Sequence, residues 1–502
     1  MLFLKKSTIT LKIMFLKRII VASLFVVSSI GFSQNKNIPT DFLSKEFHKE
    51  RRDALRAKMP SNSVAVFFAN AVRNRANDVD YVYHQDPNFY YLTGYREPNA
   101  VILIFSDEQK SDKGNYKELF YVQKRNAMAE MWNGYRLGVK GVQSTLGIQN
   151  AFNGEEFVNL AIDFSKFDKI IFTDFKNDVR DNKRDKADLY DLIAQFKQKV
   201  GYKSSSDKIP ASDKNIKVAS NIDTKAVRGL MATLREVKTE EELKLLKKAV
   251  RISAMGQVEI MKAMHPNMSE TEVQGVHEFV YKKYGAEYEG YPSIVGGGNN
   301  GCILHYIENN KPKIGKELVL MDLGAEYRGY TADVTRTIPA NGKFSKEQRA
   351  IYDLVYKAQE AGIAQYLIGE KIRTPGQTAR KIVNEGLVKL GIIKSVNERH
   401  LYWAHGTSHH IGLDVHDPGN YTVFKENMVL SMEPGIYIPE GSKCDRKWWG
   451  IAVRIEDDIL VTKNGPVNLS ADAPRKADEI EAMMKKTSIF SNYTLPNLDD
   501  KK

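Results

Sequence analysis

The chain has 502 residues, 42% hydrophobic and 27% charged, with a formal net charge of +12. This is ordinary globular composition, long enough for two or more domains, and it excludes a disordered or low-complexity chain. The positive charge does not identify a nucleic-acid partner: five of the basic side chains fall in the first 33 residues with no acid, and later runs such as KNDVRDNKRDKAD (176–188) are diluted by acids. No basic stripe is interleaved with aromatics, so nucleic acid is excluded as a partner.

Residues 1–33 read as an export signal. Lys17-Arg18 precede the apolar run IIVASLFVVSSIGF (19–32), Gly31 and Ser33 offer small residues for cleavage, and Met14 is the alternative start. The run is 14 residues, short of the ~20 that span a bilayer. No cysteine follows it, which argues against a lipid-anchored lipoprotein; an uncleaved anchor is the other reading. The expected location is the periplasm, with the outer surface or the medium as alternatives. Cys302 and Cys444 are too few for a disulfide framework and are expected as free thiols.

Residues 35–60 (FLSKEFHKERRDALRAKM and its flanks) suggest a leading helix. Apolar runs then alternate with turns: VAVFFA (64–69), FYYLTGY (89–95), AVILIF (100–105), ELFYVQ (118–123) and KIIFTDF (169–175), with a helical DLYDLIAQFKQKV (188–200). This is the pattern of an α/β unit. The Lys-, Ser-, Asp- and Asn-rich stretch 201–225 marks a junction. The expected domains are therefore 40–225 and 226–485, with a polar tail at 486–502. The second domain opens with capping signals at Thr239 and Ser269 before apolar-periodic runs. Beyond residue 290 strand patterns dominate, with one more helical block at 345–367.

Four carboxylates stand out. LVLMDLGAEYRGYTADVTRTI (318–338) reads as a hairpin about a Tyr-Arg-Gly-Tyr turn. Opposed residues in a hairpin share a constant index sum. A two- or four-residue loop here makes that sum odd, which places Asp322 and Asp333 on one face, ~5–8 Å apart at Cβ. Two carboxylates converging among Leu, Val and Ile are costly unless a positive group lies between them. Glu433, in VLSMEPGIYIP, follows an apolar strand, and Glu456, in IAVRIEDDILV, shares a face with Arg454 and Asp458. Alone, each reads as a salt-bridged strand residue. Together with a histidine they form five hard donors, which suit Mn²⁺, Zn²⁺ or Co²⁺, and four carboxylates balance two divalent ions rather than one.

HGTSHHIGLDVHD (405–417) carries four of the ten histidines. Its His-x₃-His spacing would suit a helix, but Gly406, Gly412 and the alternation of Ile411, Leu413 and Val415 indicate a strand. A strand would put His409 on the face of those apolar residues and His410 with His416 on the other. One histidine at most need bind metal; the rest are available for hydrogen bonding or proton transfer.

With these residues in hand, the chain resembles the dinuclear "pita-bread" metallopeptidases. Asp322, Asp333, His409, Glu433 and Glu456 stand in the order of that family's metal ligands. HGTSHHIGLDVHD, SMEPGIYI, RIEDD and NNGCILHY (299–306) resemble its Xaa-Pro aminopeptidase and prolidase branch, and DPNFYYLTGYREPNAVILIF resembles the aminopeptidase P N-terminal domain. The likeness spans about residues 45–482. It implies an α+β fold: a C-terminal pseudo-twofold pita-bread domain behind an N-terminal α/β creatinase-like domain, assembling as a homodimer or homotetramer. It implies two divalent ions, Mn²⁺ first and Zn²⁺ or Co²⁺ as alternatives. Asp322 would chelate one, Asp333 and Glu456 would bridge, and His409 and Glu433 would complete the second. His305, His405 and His416 would line the substrate site, with Tyr291 and Arg454 in support, while His410 has no role in the family pattern. The loop between His416 and Glu433 lacks an arginine that some relatives use for the C-terminal side of substrate, a departure that bears on peptide length.

The implied reaction is hydrolysis of the bond between an N-terminal residue and a following proline. Metal ions lower the pKa of water from ~15.7 to ~7, roughly 12 kcal/mol of easier ionisation. A hydroxide bridging both ions would attack, Glu433 would carry the proton to the leaving nitrogen, and His416 would stabilise the oxyanion. The alternative is a prolidase restricted to Xaa-Pro dipeptides. Methionine aminopeptidase does not need the large N-terminal half, a non-catalytic relative would have lost ligands, and a glycosidase explains neither His409 nor the charge balance.

Overall fold

The computed structural model describes residues 39–111, 114–176, 178–204, 220–492 and 495. The export-signal reading of residues 1–33, most of the 201–225 junction and much of the tail lie outside the described residues. Among the described residues no helix is long and apolar enough to cross a membrane.

The N-terminal region is built on a six-stranded mixed sheet. Its order is Ala151–Asn153, Gly114–Val122, Val101–Ser111, Ser63–Phe68, Lys169–Ile171, Ile222–Asp223. The three central strands pair antiparallel, and the outer strands join parallel. Helices Lys45–Arg56 and Leu189–Val200 form where the sequence indicates, capped by Ser44 and Asp188. The apolar run FYYLTGY is a helix rather than a strand, Pro87–Thr93. Asp86 caps it, Pro87 starts it and Gly94 ends it at φ 71°. Phe89 to Thr93 are all buried, which erases the amphipathic period that would have revealed a helix.

The C-terminal region repeats one unit twice. Helices Glu240–Ala263 and Glu270–Lys283 precede an antiparallel sheet of Ile294–Gly297, Leu318–Asp322 and Thr335–Pro339. Helices Lys346–Ile363 and Thr374–Lys389 then precede a sheet of Val429–Met432, Asp457–Thr462 and Gly465–Asn468. This repetition is the pseudo-twofold α+β architecture expected. Thr239 and Ser345 close full capping boxes with Glu242 and Gln348. Helix Thr374–Lys389 is an addition to the elements read from sequence. Gly376 and Gly386 weaken its intrinsic signal, but a Cβ on Gly386 would fall 2.3 Å from the Leu354 side chain, so close packing on the preceding helix requires the glycine.

Tyr90, Tyr91, Leu234, Leu246, Tyr330 and Leu413 share one apolar core, so both regions contribute to it. The Tyr91 hydroxyl donates to the Leu234 carbonyl at 2.9 Å, and the buried Arg235 guanidinium donates to the Asn88 side chain at 2.8 Å. Cys302 and Cys444 are free.

Candidate active site and metal centre

The hairpin sets the first two carboxylates. Asp322 pairs with Thr335 and Tyr327 with Tyr330, the same index sum, so one register runs through both halves of the hairpin. Arg328 and Gly329, both at positive φ, form the two-residue turn. Asp322 and Asp333 therefore share a face, as the parity argument requires. Gly324 lets the strands close: a Cβ there would fall 1.9 Å from the Ala332 carbonyl oxygen and 2.7 Å from the Tyr291 ring. That ring lies against the two aspartates, with its hydroxyl 2.5 Å from Asp322 and 2.6 Å from Asp333. One hydroxyl carries one proton. It satisfies one carboxylate at a time, and the other needs its own proton or a cation.

The second half of the repeat supplies the remaining donors. Glu433 follows strand Val429–Met432, where its N–H donates to the Thr407 carbonyl at 3.0 Å. His409 is fixed to the same strand by backbone and side-chain bonds with Ser431. Its Nε2 stands 3.4 Å from Asp333 and 3.5 Å from Glu433. Glu456 leaves the end of Ile451–Arg454 and accepts from the Thr335 hydroxyl at 2.6 Å. Asp333, His409 and Glu456 present donor atoms within 4.8 Å of one another.

A polar ring frames this group. His405 lies 3.3 Å from Glu433 through Nδ1 and 2.7 Å from the Tyr437 hydroxyl through Nε2. Arg454 donates to Tyr437 at 2.9 Å and to Asp322 at 2.5 Å. Tyr437, Thr335 and Asp458, whose carboxylate accepts the Asp333 N–H at 3.0 Å, were not singled out from sequence. Each sits within a motif already quoted, which is the signal that could have found them. Tyr291 and Arg454, read as substrate supports, have their polar atoms turned to the carboxylates. His305 and His416 stand exposed on the rim of a cavity of about 450 Å³.

The face assignment of the histidine stretch is overturned. Residues 411–416 form no strand, and His416 packs edge-on to His409, ring centroids 4.4 Å apart. His410 is instead buried against Tyr421, and burial draws its pKa down to about 4. The cause is Asp417. Its carboxylate is held by Arg235 and by Lys238 at 2.8 Å, all three buried. Its N–H donates to the His410 carbonyl, so the chain turns back on itself and the two-residue period does not persist.

The electrostatics fit a pair of cations. Burial, then the charges of Asp322 and Asp458, push Asp333 well above the carboxylate range, and burial with Asp333 and Glu433 does the same to Glu456. Burial also raises Asp458, to about 8. Asp322 is the exception: burial opposes its ionisation, but Arg454 and Tyr291 outweigh burial and hold it low. Four crowded carboxylates and one imidazole, with one arginine as the near cation, are the donor set that two hard divalent ions neutralise.

A model of metallopeptidase family M24 matches residues 244–463, and one of the aminopeptidase P N-terminal domain matches residues 48–169. The chain is 35% identical to a Xaa-Pro aminopeptidase of Haemophilus influenzae over 456 residues, 88% of this chain and 98% of the relative. It is 30% identical to human Xaa-Pro aminopeptidase 3, covering 85% and 82% of the two chains. Escherichia coli aminopeptidase P with the inhibitor Pro-Leu matches with a TM-score of 0.76 at 33% identity, covering 88% and 98%. A zinc-substituted form of that enzyme with product matches equally, at a TM-score of 0.76. The chain belongs to metallopeptidase family M24, in its Xaa-Pro aminopeptidase group, and is a metal-dependent exopeptidase.

Proposed function

We propose that this enzyme removes the first residue from peptides with proline second, using two divalent ions held by Asp322, Asp333, His409, Glu433 and Glu456. The supporting observation is the crowding itself: one Tyr291 hydroxyl serves two aspartates while His409 spans Asp333 and Glu433. When bound, the ions supply a water that ionises near neutral pH, and its sharing between both ions is part of the proposal. Mn²⁺ is the ion proposed, with Zn²⁺ or Co²⁺ as alternatives.

The chain's own residues do the rest. Glu433, 3.3 Å from His405, takes the water proton and returns it to the proline nitrogen as the bond breaks. His416, on the open side of His409, donates to the carbonyl oxygen as charge develops there. Proline brings no N–H and holds the preceding residue extended, so the site need offer that nitrogen no acceptor. Assembly as a homodimer or homotetramer and export to the periplasm complete the proposal. Family resemblance supports the first, and the charged and apolar leader supports the second.

The test is a matched pair, Ala-Pro and Ala-Pro-Ala-Ala, given to metal-stripped enzyme before and after Mn²⁺ addition. Metal-dependent release of alanine from the tetrapeptide is expected. Cleavage of the dipeptide alone would make the enzyme a prolidase.

A further inference from the structure

Beside the metal-site cavity lies a second one of about 350 Å³, and both are lined by His405, Gly406, Ser408 and Tyr421. Helix Thr374–Lys389 forms its far side. Gly376 lets that helix approach: a Cβ there would fall 2.4 Å from the Thr407 hydroxyl. The approach brings Arg373 and Arg380 to the cavity with Trp403, and the Arg380 guanidinium lies 5.8 Å from that indole. Both arginines are exposed, no carboxylate lines the cavity, and neither arginine is paired with a carboxylate among the described residues. The charge pattern is the reverse of the neighbouring site, where carboxylates crowd around one arginine.

We propose that this second cavity is the subsite for the C-terminal side of the substrate, where Arg373 and Arg380 hold a peptide carboxylate. The inference rests on the Xaa-Pro peptidase reading. A peptide in the metal site has two ends, and only one suits two unpaired guanidinium groups. The free N-terminal ammonium is repelled by them, whereas a carboxylate meets planar donors matched to its geometry. The shared wall lets one chain run from the metal site into the arginine cavity, which sets its direction. The carboxylate is either the C-terminus of a short peptide or an acidic side chain of a longer one.

The test uses the Mn²⁺-loaded enzyme with three substrates: Ala-Pro-Ala-Ala as free acid, the same peptide as C-terminal amide, and the amide of Ala-Pro-Ala-Glu. The expected result is a KM for the free acid about five- to tenfold below that of the neutral amide, with kcat close between them. Raising salt should narrow the gap. The double substitution Arg373→Gln with Arg380→Gln should raise KM for the free acid toward that of the amide. A low KM for the glutamate amide assigns the subsite to acidic side chains, and a low KM for the free acid alone assigns it to the C-terminus. Equal KM for acid and neutral amide in the unsubstituted enzyme overturns the inference, as does a gap that survives both substitutions. Cleavage of the amides at that same KM leaves the Xaa-Pro reading intact; cleavage of none of the three removes that reading and the subsite with it.

Discussion

Glu456, Asp457 and Asp458 are consecutive and all buried, yet they serve two unlike regions. Asp457 points away from the cavity into a closed network. It accepts from Arg336 at 2.7 Å, Gln359 at 2.8 Å and Ser470 at 2.5 Å, and Arg475 stands 3.4 Å away. Glu456 points into the cavity, where its one printed donor is Thr335 and its nearest cation, Arg454, is 3.9 Å away. Burial is alike in both places; the supply of positive charge is not. A buried carboxylate with matched donors holds a fold together, and a group of them without matched donors awaits cations.

The comparison would break most visibly at Asp333. Asp333→Ala should abolish bound metal and lower kcat/KM on the order of 10³-fold or more, because water activation worth ~12 kcal/mol is lost. Metal content by mass spectrometry and peptide release should fall together; retention of both would remove Asp333 from the metal site. Arg336→Met should do the reverse. It leaves Asp457 buried and unpaired, at a cost of ~3–5 kcal/mol, seen as a melting temperature lower by roughly 10 °C. Metal bound per folded molecule should hold, and its loss instead would merge the two regions into one.

A third kind of buried group sharpens the point. His48 sits against Tyr91, and burial lowers its pKa to about 4. Its folded pKa lies below the unfolded value of 6.5, so its share of stability is complete above pH 6.5 and is lost as pH falls toward 4. The loss should approach about 3 kcal/mol at the acid end. Urea midpoints across that window, compared with those of His48→Gln, measure it, and parallel curves for the two proteins would exclude His48 as the source. The smallest effect is expected at Tyr437→Phe, which removes the hydroxyl linking His405 to Arg454. About 1 kcal/mol, or roughly fivefold in kcat/KM, should be lost with metal retained.

Much of the site was legible because hairpin geometry is local. The odd index sum that puts Asp322 and Asp333 on one face needed only the turn and the alternation, and the Arg328-Gly329 turn carries that sum unchanged into the structure. Helix starts at Thr239 and Ser345 were equally local, since a capping box is closed within four residues. The helix over 87–93 and the helix over 374–389 were missed for opposite reasons: the first is buried all round, and the second contains glycines that only its neighbours explain.

The amino-acid sequence by itself determined which donors exist, their number and their hardness, and so the class of metal chemistry. It also determined the parity of each strand pair. Only the tertiary structure decided which histidine faces which. Asp417 is pulled into a buried pair with Arg235 and Lys238, far back in the chain, and this turns the backbone so that His416 meets His409 while His410 is buried. It also decided which of three adjacent carboxylates finds arginine and which does not. Periodicity fixes alternation along a strand, but charge balance depends on partners brought together across the fold, and a chain reads only its own neighbours.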